Sequence, residues 1–214
     1  IKRLSLIGTD ADDDTLYGYN DMDNIIKGGD GNDTLTGGDG VENILEGGRG
    51  NDILKGGYRS YGEEIRGKNT FVFFKGDGND TIVNLNNGDL IKFKDLSKED
   101  VTLEFNVIDK TLLISSTVSN DTVLVEAYGT NAEKYDYINH RGIANDINIQ
   151  FKDGITLNND FILKNAKLKG DANTMIGGKE DNVFTYDGGA KSIVDLGGYD
   201  KVIYKNPVKR VRYD

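Results

Sequence analysis

The sequence predicts an all-β fold assembled from short stacked strands, and three observations lead there. A nine-residue unit recurs with glycines and an aspartate at fixed places. One apolar side chain per unit keeps phase with those glycines, as Leu35, Leu45 and Leu54 do. The composition also leaves a thin supply of core side chains, with 36% hydrophobic residues and a formal charge of -10 over 214 residues. With 28 glycines and a single proline the chain is no proline-rich linker, and a flexible glycine linker would not hold its leucines in register.

The units follow one another from the start. Residues 8–17 and 18–27 are ten-residue versions, ending in Asp14-Thr15-Leu16 and Asn24-Ile25-Ile26. Gly28-Gly29-Asp30-Gly31-Asn32-Asp33-Thr34-Leu35-Thr36 fits G-G-x-G-x-D-x-U-x at every fixed position. Residues 37–46 carry one extra residue and place Asn43 where the aspartate belongs. Gly47-Gly48-Arg49-Gly50-Asn51-Asp52-Ile53-Leu54-Lys55 is a second full match, and residues 56–66 are a looser copy. From Asn69 the pattern shifts to Thr70-Phe71-Val72-Phe73-Phe74, then to units at 75–83 and 84–92, and the period ends near Phe93.

The spacing has a physical reason. Glycines let the backbone turn tightly through left-handed conformations with carbonyls facing inward, and the aspartate adds a carboxylate. The x-U-x that follows is a short strand burying one side chain. Carbonyl and carboxylate oxygens are hard ligands suited to calcium, which takes six to eight of them. With Cys 0 in the chain, no thiolate site or disulfide framework competes with this reading.

These repeats resemble the RTX (repeats-in-toxin) family of hemolysin-type calcium-binding proteins. The resemblance implies a parallel β-roll in which two units make one coil, repeats stack on the next but one, and several calcium ions sit between stacked loops. It points to Asp14, Gly29, Asp30, Gly31, Asp33, Gly38, Asp39, Gly40, Asn43, Gly48, Gly50, Asp52, Asp77, Gly78, Asp80 and Asp89 as metal-binding positions. Next-but-one stacking sorts the loop aspartates and the residues that replace them into two columns: Asp14, Asp33, Asp52 and Asn69 in one, Asn24, Asn43, Glu63 and later Asp80 in the other. The second column offers mostly neutral oxygens on lengthened loops, so its sites are expected to be weaker, partly rebuilt by Asp21, Asp23, Asp39 or Glu42, or empty. Asn43→Ala is accordingly expected to be milder than Asp33→Asn.

Beyond the roll of residues 1–93, residues 94–165 read as a β-rich, sandwich-like cap. Alternating runs at 101–108 and 111–117 flank Asp109-Lys110 as a hairpin, 122–127 and 147–151 read as strands, and Ser97 caps a short helical turn. Residues 166–214 form a second, degenerate roll, since 182–204 matches 69–93 element for element, two residues shorter, and the ending 208–214 looks cut mid-strand. Asn182 and Lys191 stand at two aspartate positions there, so this roll is expected to be largely metal-free and held by Val183, Phe184, Ile193 and Val202.

Several functions find no residues to carry them. The acidic balance makes nucleic acid and anionic membrane poor partners, no apolar run approaches the roughly 20 residues of a membrane span, and no signal peptide is recognisable. The chain has one histidine, His140, and neither H-E-x-x-H nor G-x-S-x-G occurs, so no enzyme activity is expected. Paired carboxylates such as Glu63-Glu64 and Asp12-Asp13-Asp14 read as ligands or solvated charge. Tyr58, Tyr61, Tyr135 and Tyr137 suit either ordinary β-surface positions or contact with a glycan or cell surface. The resemblance implies a secreted, extracellular or cell-surface module that passes through type I secretion machinery and folds on calcium. Its parent would be a toxin, adhesin or surface-layer protein; the alternative is the non-catalytic arm of a secreted protease, lipase or epimerase.

Overall fold

In the first 93 residues the chain alternates between two sheets, one strand to each side of every loop: β1 (Arg3–Ile7), β2 (Thr15–Tyr17), β3 (Asp23–Asp30), β4 (Thr34–Thr36), β5 (Asn43–Arg49), β6 (Ile53–Lys55), β7 (Asn69–Phe73), β8 (Asn79–Val83) and β9 (Leu90–Phe93). Odd strands pair in parallel in one sheet and even strands in the other. The computed structural model describes residues 3–10, 12–57, 67–83, 85, 88–126, 148–171, 173–186 and 192–204. Glu63, Glu64, Tyr58, Tyr61, Tyr135, Tyr137, His140, Lys191 and the chain end lie outside those residues.

Each x-U-x strand points one residue inward, and parallel register stacks those residues into two apolar ladders. Leu6, Ile26, Leu45, Phe71 and Ile91 form one; Leu16, Leu35, Leu54 and Ile82 form the other. All but Leu6 and Leu16, at the open first turn, are fully buried. Each such side chain contributes about 1.5–3 kcal/mol of burial. The roll is therefore a narrow core, one residue deep per strand, with loops carrying the glycines on its edges.

The cap grows out of both sheets rather than starting a new one. β10 (Val101–Asn106) and β11 (Thr111–Ser116) form the expected hairpin, turning through Lys110 at φ 59°. β12 (Thr122–Val125) returns antiparallel to β11 and pairs in parallel with β8, so Val125 extends the ladder from Ile82. β13 (Asn148–Gln150) does the same on β9, setting Ile149 beside Ile91, and β14 (Thr156–Asn158) closes that edge. Phe93 bridges Phe73 and Phe151, with ring centroids 5.7 and 5.8 Å apart, so large rings fill the volume where glycine loops stop. The turn at Lys98–Asp100 is a 3-10 helix with the expected Ser97 as its N-cap, in a capping box in which the Asp100 carboxylate accepts the Ser97 N–H at 2.8 Å.

Sequence reading missed α1 (Asn159–Asn165), which Asn158 caps by accepting the Phe161 N–H at 2.9 Å. β15 (Lys167–Lys169) then pairs in parallel with β10, so the first body runs past the boundary expected at 165. The second roll follows as two parallel pairs, β16 (Thr174–Ile176) with β18 (Ser192–Val194) and β17 (Val183–Tyr186) with β19 (Lys201–Tyr204). Of its four expected core residues only Phe184 is buried; Val183, Ile193 and Val202 are exposed. Two-stranded sheets have one neighbour per strand, which leaves outward faces uncovered.

Candidate metal centre

The loops between the strands stack with the sheets. Asp14 donates its backbone N–H to Asp33 Oδ1 at 2.7 Å, Asp33 donates to Asp52 Oδ1 at 2.7 Å, and Asp52 donates to Asp80 Oδ1 at 2.9 Å. One oxygen of each acceptor carboxylate is thus spent on holding the preceding turn. The second oxygens of Asp33 and Asp52 are buried and have no hydrogen-bond partner. A buried ionised oxygen with no donor costs several kcal/mol unless a cation or proton meets it.

Glycine conformation brings main-chain oxygens of one turn against the next. Gly29, Gly31, Gly48, Gly50 and Gly78 have φ between 106° and 144°. A Cβ at Gly48, Gly50 or Gly78 would overlap the carbonyl oxygen of Gly29, Gly31 or Gly50, respectively, in the turn before. Those carbonyls therefore project at the next loop, which only glycine allows. Among the described residues no three acidic or histidine side chains converge as a ready metal cluster; a cation seated here would draw on glycine carbonyls as well as carboxylates, as hard oxygen-only sites do.

The carboxyls register the crowding. Burial, reinforced by neighbouring carboxylates, pushes Asp52 up to about 6, Asp77 to about 7 and Asp80 to about 8, and it raises Asp33 too. Asp121, from the cap, is among the charges acting on Asp77 and Asp80, and its carboxylate accepts the Gly76 N–H at 2.7 Å.

The other column is chemically different. Asn24 Nδ2 donates to Asn43 Oδ1 and Asn43 Nδ2 to Asn69 Oδ1, each at 2.8 Å, and Asn69 Nδ2 donates to Asp89 Oδ2 at 3.0 Å. All four are buried. This corrects the expected columns. Asn69 lies with the asparagines and Asp80 with the aspartates, because the loop begun by Gly57 closes on Asn69, 12 residues on, where Gly38 closes on Asn43 after 5.

Other expected ligands divide accordingly. Asp14 is partly exposed, and its Oδ2 accepts the Thr9 N–H at 2.6 Å. Asp30 and Asp39 are exposed; Asp30 lies 3.9 Å from Arg49, and the Asp39 N–H donates to Asn20. Asp77 ties its own tight turn by accepting the Phe74 N–H at 2.7 Å. Asp89 ends the asparagine ladder, also accepting the Asn69 N–H at 2.8 Å. Gly38 exchanges both its N–H and its carbonyl with Asn43, at 2.8 and 2.9 Å, and Gly40 turns at φ 70°. Sequence reading missed an outer ladder in which Asn32 donates its N–H to Asp13, Asn51 to Asn32 and Asn79 to Asn51. The repeated Gly-Asn-Asp triplet was its visible signal.

No protein-family model matches the chain, and no curated protein matches it.

Proposed function

We propose that this chain is a calcium-binding module of the RTX kind from a secreted protein, with ions along the aspartate column completing its fold. The observation that carries this reading is the pair of buried, unpartnered oxygens on Asp33 and Asp52. Asp33, Asp52 and Asp80, with the carbonyls of Gly29, Gly31 and Gly50, would hold the ions. A divalent cation supplies there the positive charge that the stacked carboxylates lack. The all-oxygen donor set favours calcium over softer metals.

The same reading gives the module a use. Where calcium is scarce, repulsion within the column keeps the loops open and the chain passes through type I secretion machinery; outside the cell, calcium at roughly 10⁻⁴ to 10⁻³ M closes them. The parent toxin, adhesin or surface-layer protein thereby acquires its folded shape after export. Far-ultraviolet circular dichroism of the full chain, in chelator and then titrated with calcium or magnesium, tests the proposal. Calcium should add β signal in that range and magnesium should substitute poorly, because it demands a small octahedral cage. A spectrum indifferent to calcium would sink the reading.

A further inference from the structure

The two columns occupy equivalent places in the coil yet leave different chemistry behind. In the asparagine column each side-chain nitrogen sits among converging oxygens. Asn24 Nδ2 lies 2.9 Å from the Tyr19 carbonyl, 2.9 Å from that of Met22 and 2.8 Å from Asn43 Oδ1. Asn43 Nδ2 lies 2.9 Å from the Gly38 carbonyl, 3.3 Å from that of Val41 and 2.8 Å from Asn69 Oδ1. Two loop carbonyls and one side-chain oxygen from the next turn thus face a donor of partial positive charge. Among the described residues the orphaned carboxylate oxygens are confined to the aspartate column.

We propose that in the asparagine column a side-chain amide takes the place that an ion takes in the aspartate column. The residue at the aspartate position of each loop then decides, turn by turn, whether that loop needs metal. This rests on the calcium reading for the aspartate column and extends it to the loops expected to be weak or empty. An amide brings two N–H donors and no net charge, so it satisfies the loop oxygens without the desolvation that a carboxylate and its ion must undergo. Asparagine gives the roll one edge that closes on its own; aspartate gives it the edge that waits for calcium. The device recurs in the second roll, where Asn182 Nδ2 donates to the carbonyls of Gly178 and Glu180.

Two measurements on the full chain test this. Asn43→Asp replaces the donor by an oxygen and leaves the Gly38 and Val41 carbonyls facing a charge, so the variant should bind an additional calcium by native mass spectrometry and depend more on calcium for its β signal. Hydrogen exchange of the unsubstituted chain in chelator should show the N–H groups of Tyr19 and Gly38, which donate to Asn24 and Asn43 Oδ1, protected at least about tenfold over those of Asp33 and Asp52. An unchanged calcium count in Asn43→Asp, with the unsubstituted chain binding calcium, overturns this inference and leaves the calcium reading standing. A parent chain that takes up no calcium overturns the calcium reading instead. If the variant does not fold, exchange decides: equal protection of the two columns overturns the proposal, and selective protection of the asparagine loops supports it.

Discussion

Asp52 donates its backbone N–H to the carboxylate of Asp80 at 2.9 Å across 28 residues of chain. The neighbouring steps of the same column, Asp14 to Asp33 and Asp33 to Asp52, each span 19. The column stays continuous although the chain between its last two members is longer, and most of the added length falls between Gly57 and Asn69, whose hydrogen bond spans 12 residues where Gly38 to Asn43 spans 5. Aspartate therefore follows aspartate from Asp14 to Asp80, and the like charges accumulate on a single edge of the roll.

Asp33→Asn should affect the two metal states in opposite directions. Asp33 holds the Asp14 N–H with one oxygen and leaves the other without a partner. Losing its charge weakens the loops on either side, so the calcium midpoint of folding should rise, while the chelated chain, relieved of a buried carboxylate, should melt higher. Asn43→Ala should destabilise with and without calcium, against its expected mildness. Its Oδ1 accepts from Gly38 and Asn24, and its Nδ2 serves Gly38, Val41 and Asn69; each buried group left unpaired costs about 1–3 kcal/mol. Thermal melts in chelator and in excess calcium check both, and indistinguishable profiles for the two variants would show that the columns are equivalent.

Acid should partly substitute for metal. Burial first, and neighbouring carboxylates next, raise the folded-state values of Asp52, Asp77 and Asp80 to about 6, 7 and 8 from 3.8. A raised value means that these groups stabilise the metal-free fold fully below the unfolded value and lose that contribution as pH climbs through about 6 to 8. Chelated protein should thus gain β signal on acidification from pH about 8 to about 5. Calcium must displace the same protons, so its uptake should release protons near neutrality and weaken as pH falls. Circular dichroism across pH in chelator, with calorimetry in buffers of different ionisation heat, measures both. A chelated fold that loosens on mild acidification would contradict the assignment.

Gly50→Ala and Gly76→Ala separate backbone strain from crowding. Both glycines have positive φ, 144° and 94°. A Cβ on Gly50 meets the Gly31 carbonyl of the preceding turn, whereas one on Gly76 meets nothing within 4 Å. Gly76→Ala should cost about 1–2 kcal/mol for the conformation alone, and Gly50→Ala a further 1–3 kcal/mol, roughly, for forcing the turns apart. Urea unfolding in saturating calcium reads the difference; equal losses would mean that the turns do not limit each other's approach.

The all-β class, the turns and the inward leucines were legible in the sequence because each depends on neighbours within one repeat. Gly28 to Thr36 dictates its loop and strand whatever lies above it, and Asp109-Lys110 dictates its hairpin. Which loop aspartate or asparagine stacks on which was not legible, since that depends on how many residues separate one turn from the next. Residues 56–66 read as one more repeat, yet the Gly57 N–H donates to Asn69. Phe151 against Phe93, β12 on β8 and Asp121 beside Asp77 and Asp80 likewise join residues far apart in the chain, where no local spacing foretells the partner. The sequence by itself determined a repeat that must bury one side chain per strand and gather oxygens in its loops. Only the tertiary structure decided that the oxygens of one edge meet amide hydrogens while two of those on the other meet nothing, because hydrogen-bond partners between turns are set by stacking register and not by order along the chain.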